Sequence, residues 1–477
     1  MRTDLIFLMP EIILLSMACL VLVVDAFSKD PFRKVTYWLT QLSLLLTFFA
    51  VIYYSPDYTY VAFNGGFVTD AMSVFLKIFI CGITIVVFFY SYEYLKENEL
   101  LKGEYFTLGL FAVLGMMVMS SAYHLLSIYL GLELLSLSLY AMVAMHREST
   151  FATEAAIKYF VLGALASGML LYGISMIYGV TGSLQFMEIA DTINNGAIDK
   201  VYLIYGMTFL IVGMAFKLGA APFHMWVPDV YQGAPTSVTL FISSAPKLAA
   251  FAMTIRILSD GLSPLIEDWQ SILTVLAVLS MAVGNIIAIA QTNIKRMLAY
   301  STIAHVGYLF LGIIAGTASG FASSMFYVIS YAFMSMAAFG MIILLGRYDL
   351  EADNLNDFKG LSTRNSWFAF IMLCLMFSMA GVPPFLGFWS KWFVLKELIA
   401  SGFIEIAIIA VFFSIIGIYY YLRIIKLMYF DDPETMSAIK ATQQMRTVLT
   451  INGILILVIG LAPNSLMRIC LSAFSVY

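Results

Sequence analysis

Fourteen apolar runs, each long enough to cross a lipid bilayer, take up nearly the whole chain. A crossing takes about 20 residues as a helix. The runs fall at about 5–25, 35–54, 70–92, 104–121, 123–145, 152–179, 201–221 with 227–233, 236–258, 269–290, 296–316, 321–346, 366–399, 404–430 and 447–468. The longest polar connections are 181–200 and 347–365, so nothing marks a soluble domain. The expected fold class is an all-α membrane protein of about 14 transmembrane helices, one polytopic domain over 1–477.

Composition agrees. The chain is 62% hydrophobic and 11% charged, where a soluble domain is about half apolar and a quarter charged. The net charge of −4 comes without a basic tract, so no nucleic-acid partner is expected. Cys19, Cys81, Cys374 and Cys470 stand far apart, with no C-x-x-C and no iron–sulfur or haem spacing. No bound cofactor is expected in this chain. The first run, Leu5 to Val24, lacks a small-residue cleavage site and reads as a retained helix rather than a signal peptide.

The basic residues set orientation and isolate a set of candidates. Of 25 Lys and Arg, 15 fall in the odd-numbered connections and 5 (Arg2, Lys200, Arg256, Lys396, Arg468) on the opposite side or at the ends. Positive-inside bias then puts the odd connections in the cytoplasm and both termini outside. The remaining five, Lys77, Lys158, Lys217, Lys247 and Lys391, lie inside hydrophobic spans. A lysine at the bilayer centre costs about 2.5–3.5 kcal/mol on insertion scales. Such a residue needs a partner, water or an interface. Facing a movable carboxylate it can also switch protonation state, which is what a proton relay requires.

Two proline breaks rank these lysines. Lys217 precedes Gly219-Ala220-Ala221-Pro222-Phe223-His224, and Lys391 follows Gly381-Val382-Pro383-Pro384. A broken helix exposes backbone groups, tolerated only against protein or water. Helices 7 and 12 are therefore expected to be discontinuous. Lys247 follows Pro246 and two serines. Glu133 is the one carboxylate deep in the fifth run, and Lys217 is its expected partner. Lys158 follows Glu154 by one turn, a spacing common in structural pairs. His305, mid-helix among Ser301, Thr302, Tyr300 and Tyr308, is a further proton-carrier candidate, and His224 a weaker one. Lys77, two turns after Asp70, reads as an interfacial anchor, and Asp229 as a cap of the segment after the first break.

A weak internal repeat accompanies the breaks. Ala122, Leu130 and Tyr140 recur 168 positions on as Ala290, Leu298 and Tyr308, and Gly219, Pro222 and Phe223 recur 162 positions on as Gly381, Pro384 and Phe385. A unit of five helices is odd, so two copies would be inverted in the membrane, as in transporters. The expected division is 1–103, repeats 104–260 and 269–430, and a last helix 447–468.

The stretch Lys217-Leu218-Gly219-Ala220-Ala221-Pro222-Phe223-His224-Met225-Trp226-Val227-Pro228-Asp229-Val230-Tyr231-Gln232-Gly233-Ala234-Pro235-Thr236 resembles the signature of the antiporter-like subunits of proton-translocating NADH:quinone oxidoreductase, respiratory complex I. Gln291-Thr292-Asn293-Ile294-Lys295-Arg296-Met297-Leu298-Ala299-Tyr300-Ser301 does so too, and the resemblance covers essentially the full chain. The start at Met9-Pro10-Glu11, the length, and Leu386-Gly387-Phe388-Trp389-Ser390-Lys391 set it apart from members with a glutamate at the late station and from longer members with a lateral C-terminal helix. The resemblance implies fourteen helices with two inverted five-helix repeats. It also implies a coupling pair Glu133–Lys217, a central Lys247, a terminal Lys391 and a supporting Lys158. NADH and quinone would act at other subunits, and the partners would be the other membrane-arm subunits of a bacterial inner-membrane complex. The repeat is chemically unequal, since Met379 stands where Lys217 would recur and Ser301 where Glu133 would. A multisubunit cation/proton antiporter shares the fold and is the alternative. A membrane scaffold without ion movement is the third possibility.

Overall fold

The computed structural model describes residues 2–56, 58–196, 199–346, 352–433 and 442–475, without the side chains of residues 2 and 3. Arg347, Lys440 and the Arg2 side chain, which entered the charge count, lie outside the described residues.

Among the described residues, 13 helices are long and apolar enough to cross a membrane. The interrupted pair Ser366–Ala380 and Leu386–Ala400 is one further crossing. The fourteen apolar runs thus correspond to helices one for one. Three crossings form the interior: Thr236–Gly261, Ile294–Ile314 and Ala318–Leu345 are almost entirely buried. Met9–Phe27, Thr150–Thr181, Ile404–Phe430 and Gln443–Leu461 lie at the periphery, each about one-third buried, with apolar outer faces. Lys247 and His305 ride on the interior helices, so protein encloses them on all sides.

Two features depart from the expected all-helical pattern. A short antiparallel hairpin joins Tyr60–Ala62 to Phe67–Thr69, with Val61 opposite Val68. Its turn takes Phe63, Asn64 and Gly65 through left-handed backbone, which Asn and Gly tolerate best. The eighth crossing is also interrupted. Thr236–Ser243 ends at Ser244, Ala245–Ile255 follows, and Arg256–Gly261 continues as a π-helical turn. Pro246 opens the middle piece, where its missing N–H costs nothing.

Three basic residues lie elsewhere than expected. Lys77 does not reach an interface. It is buried against Glu11, with Nζ 2.5 Å from Oε1 and side-chain exposures of 3% and 4%. Its ammonium also sits 4.8 Å from the Phe67 ring centroid. The pair ties helix Met9–Phe27 to helix Ala71–Glu97. Arg256 and Lys295 were assigned to connections, and both are buried and ion-paired. Arg256 meets Asp70 at 2.7 Å and Asp260 at 3.2 Å, and Lys295 meets Asp353 at 3.3 Å. Counting charges along a sequence cannot separate a loop from a helix end folded inward.

Removing one partner of a buried pair leaves the other charge without compensation, at about 3–5 kcal/mol. Glu11→Gln or Lys77→Met alone should lower the thermal stability of the purified protein markedly. The double change Glu11→Leu with Lys77→Met should recover most of the loss. A double variant as unstable as the sum of the singles would refute this account of the pair.

Candidate functional site

Both proline breaks are built alike. Helix Lys200–Leu218 stops at Gly219, with φ 84°, and helix Ser366–Ala380 stops at Gly381, with φ 87°. In each, the glycine N–H bonds four residues back, to Ala215 and Phe377, and the next N–H bonds five residues back to the same carbonyl. This glycine stop ties off the earlier carbonyls of the last turn. It leaves those of Leu218 and Ala380 directed past the helix end. The chain resumes as Trp226–Gly233 after the first break and Leu386–Ala400 after the second.

Each free carbonyl holds a lysine. Lys247 donates to the Leu218 carbonyl at 2.7 Å, and Lys391 donates to the Ala380 carbonyl at 3.0 Å. Lys391 has a second acceptor in Ser414 Oγ at 2.9 Å. Aromatic faces complete both seats, Trp226 at 5.5 Å from Lys247 Nζ and Tyr308 at 5.0 Å from Lys391 Nζ. The carbonyl end of a helix carries partial negative charge, worth up to about 2 kcal/mol for a partly buried cation. That is close in size to the insertion cost of a lysine, about 2.5–3.5 kcal/mol. The half-helices therefore offset most of the penalty without a fixed carboxylate. Sequence spacing placed Lys391 just after its break and Lys247 only beside Pro246 in the next run, and gave no hint that the helix ends bind them.

Glu133 and Lys217 do not form the expected direct contact. Lys217 donates to Ser136 Oγ at 2.8 Å, and Glu133 accepts from the Ser167 hydroxyl. Among the described residues no ion pair joins the two. Ser136 lies three residues after Glu133 on helix Leu125–Val143, so the lysine reaches the next turn of the glutamate's own helix. Glu133 is half-buried and shares a helix face with Leu126, Leu130 and Leu137, all exposed. It therefore stands at the edge of this chain, where a lipid or a neighbour would cover it. Ser136 and Ser167 were missed from sequence, because serines in apolar helices commonly bond their own backbone.

Lys217 and Lys247 are nearly in series, since the carbonyl holding Lys247 belongs to Leu218, the residue after Lys217. Beyond Lys247 lies a small cavity of about 10 Å³, lined by Leu218, Lys247, His305, Leu309, Tyr327 and Tyr331. That is the least space a single water occupies. His305 bonds Tyr327 OH through Nδ1 at 2.7 Å and Tyr421 OH through Nε2 at 3.1 Å. Tyr421 continues to Ser301 at 2.5 Å, and Thr302 meets Tyr331 at 2.6 Å. The ring of Tyr308 stacks on Tyr327 and faces Lys391. The polar groups anticipated around His305 are thus in place, apart from Tyr300, which packs under Arg296. Tyr327 and Tyr421 were not anticipated, being two among 28 tyrosines.

Lys158 stands apart from this file. It is 43% exposed and pairs with Glu154 at 2.7 Å, as the spacing suggested, and with Asp229 at 2.8 Å. Asp229 also holds Arg296 at 2.7 Å. Asp229 lies in the first turn of the half-helix Trp226–Gly233 but does not cap it, since no side chain bonds that helix start; it instead anchors the half-helix to two neighbouring helices. His224 lies in the turn between the half-helices, partly buried.

A buried acid–base file on broken apolar helices characterises ion-translocating membrane subunits, and comparison with known proteins settles the family. The model describing NADH:quinone oxidoreductase and Mrp antiporter membrane segments matches residues 122–417. NADH-quinone oxidoreductase subunit N of Thioalkalivibrio sulfidiphilus is 56% identical over 98% of this chain and 97% of its own. The chain belongs to the NADH-quinone oxidoreductase subunit N family. In respiratory complex I from Thermus thermophilus one chain superposes with a TM-score of 0.82 at 30% identity, over 96% of this chain and 98% of that one. A chain of the Mrp complex from Dietzia has a TM-score of 0.86 at 19% identity, over 99% and 97%, a likeness of fold alone.

The seat of Lys391 can be probed through its glycine. A Cβ at Gly381 would lie 3.0 Å from Lys391 Cδ, whereas Gly402, also left-handed, has open space around it. Alanine at either position costs about 1–2 kcal/mol from backbone strain. Gly381→Ala should in addition loosen Lys391 and raise hydrogen exchange across 386–400 beyond the effect of Gly402→Ala. Equal effects at the two glycines would rule out contact with the lysine as the cause.

Proposed function

We propose that this chain translocates protons across a bacterial inner membrane through Glu133, Lys217, Lys247, His305 and Lys391, driven by electron transfer in other subunits of its complex. The observation that carries the proposal is the seating of Lys247 and Lys391 on the carbonyl ends of interrupted helices. A lysine held by backbone dipoles and hydroxyls can give up its proton without leaving a carboxylate unpaired. A permanent salt bridge would resist that.

The sequence of steps follows from the contacts. Glu133 has two possible partners, the Ser167 hydroxyl it holds here and the Lys217 ammonium, which bonds Ser136 one turn along the glutamate's helix. Rotation toward Lys217 favours the charged lysine, and return to Ser167 releases it to pass a proton on. Lys247, seated on the carbonyl of the residue that follows Lys217, is the next proton acceptor in the file, reached across water. His305 accepts by way of the intervening cavity. Tyr308 and Lys391 complete the route toward Ser414. Lys158 has a supporting role, fixing the half-helix that carries Trp226. Residues 104–260 and 269–430 act as two inverted five-helix units, a reading supported by the matching glycine stops at Gly219 and Gly381. The two termini face the periplasm, consistent with the distribution of basic residues.

NADH and quinone act at other subunits, and the remaining membrane-arm subunits are the partners. The half-buried Glu133, on a lateral apolar face, is where a neighbour's movement would reach the relay.

Lys217→Ala and Lys391→Ala should each sharply reduce NADH-driven proton uptake into vesicles while the complex still assembles to full size. Ser136→Ala, which removes only the resting partner of Lys217, should reduce it less. Undiminished pumping by a fully assembled Lys217→Ala complex would sink the relay and favour a purely structural role. Proton uptake that requires a counter-transported metal cation would favour an antiporter subunit instead.

A further inference from the structure

The acid–base file runs from Glu133 to Lys391 and stops inside the protein. One interior helix carries polar groups onward to a membrane face. On Ala318–Leu345, Ser319, Ser323, Tyr327 and Tyr331 recur every four residues, which sets them along one side of the helix. Tyr331 bonds Thr302 at 2.6 Å, and Tyr327 bonds His305 Nδ1 at 2.7 Å. Ser323 is fully buried and donates to the Ser319 carbonyl at 2.8 Å. Ser319 donates to Glu397 Oε2 at 2.6 Å. The stripe thus joins the His305 cluster to a carboxylate that the file does not use.

Glu397 occupies the last turn of the half-helix Leu386–Ala400, on which Lys391 also lies. Its other oxygen, Oε1, stands 3.4 Å from Lys396 Nζ, with side-chain exposures of 16% for the glutamate and 65% for the lysine. Glu397 therefore links the buried stripe to the surface. The face is the one that holds the C-terminal helix Pro463–Ala473, since Phe321, two residues after Ser319, packs against Phe474 with ring centroids 6.0 Å apart. Holding two helices together does not call for a carboxylate at this place. The carbonyl end of a helix carries partial negative charge, so an anion in the last turn is unfavourable. A glutamine there would accept the same bond from Ser319. What a carboxylate adds is the capacity to take up a proton and give it back.

We propose that Glu397 is the carboxylate from which the relay releases protons at the face opposite the cytoplasm, loaded along the Tyr327–Ser323–Ser319 stripe. This outlet rests on the relay proposed above and extends it. Successive stripe residues rise about 6 Å along the helix, a gap that one water bridges. Tyr327 takes a proton on its oxygen from the His305 ring and gives its own onward. The Ser323 and Ser319 hydroxyls do the same as they rotate, each ending with one hydrogen. Glu397 becomes the neutral acid, gives its proton to water outside and returns to the carboxylate beside Lys396. Tyr308, whose ring stacks on Tyr327 and faces Lys391, sets that lysine beside the same outlet.

The test measures NADH-driven proton uptake into vesicles carrying the whole complex, with assembly and electron transfer followed in parallel. Glu397→Gln keeps an acceptor for Ser319 and removes the titratable group. It should cut uptake as far as Lys217→Ala does, and Glu397→Asp should restore most of it. Glu405→Gln, which changes an exposed carboxylate in the first turn of Ile404–Phe430 at the same face, should leave uptake unchanged. Ser323→Val closes the middle of the stripe and leaves the Ser319–Glu397 contact in place. It should also cut uptake, and it decides the matter if Glu397→Gln fails to assemble. Full uptake by an assembled Glu397→Gln or Ser323→Val complex, beside loss in Lys217→Ala, would overturn this outlet and leave the relay standing. An equal loss in Glu405→Gln would overturn it too. Full uptake by Lys217→Ala would instead overturn the relay itself.

Discussion

The seating of a lysine on the carbonyl end of an interrupted helix is the contact on which the interior of this protein depends. Spanning helices normally keep every backbone group satisfied within themselves. Here two of them stop at a glycine in the middle of the molecule and leave a carbonyl directed inward. The unsatisfied carbonyl and the unsatisfied ammonium are each costly alone and inexpensive together. The break explains why a lysine is tolerated, and the lysine explains why the break is.

The same device recurs where no redox or proton role is assigned. Lys295 reaches the Ala234 carbonyl at the end of Trp226–Gly233, and Arg423 reaches the carbonyls of Ile289 and Gln291 at the end of Ile266–Ile289. Lys247 and Lys391 differ from these in their supporting partners. Lys295 has Asp353 as a counter-charge at 3.3 Å, whereas neither Lys247 nor Lys391 has a carboxylate within ion-pairing distance among the described residues. Lack of a fixed counter-charge separates a cation suited to exchange from one suited to anchoring.

Much of this was legible in the sequence because membranes simplify the reading. A 20-residue apolar run has few alternatives, so all fourteen crossings could be placed. A lysine inside such a run needs a partner, water or an interface, and Lys217, Lys247 and Lys391 stood out among the five by the proline breaks beside them. Partners were not, because they come from other helices and have unremarkable side chains. Ser136, Ser167 and Ser414 look like any helix serine. Glu11 comes from another helix and was not singled out as a partner, so Lys77 was misjudged as an interfacial anchor. The Glu133–Lys217 contact was inferred from chemistry and from the resemblance, and each group has a serine as its partner instead.

The two breaks also differ in who supplies the lysine. Lys391 belongs to the half-helix that follows its own break, so one element holds both sides of the contact. Lys247 comes from the next crossing, itself interrupted at Ser244 three residues earlier. A shift of that segment would withdraw the cation from Leu218 without disturbing either half of the seventh crossing. The second seat can open only if its own half-helices move apart or the Lys391 side chain changes rotamer. The first seat is therefore the mechanically sensitive one. It adjoins Lys217, whose partner Ser136 shares a helix with the laterally placed Glu133. Displacement from a neighbouring subunit would reach Glu133 first, then Lys217, then the Leu218–Lys247 contact. The Lys391 seat, closed within its own broken helix, would respond last and through the His305 cluster rather than directly.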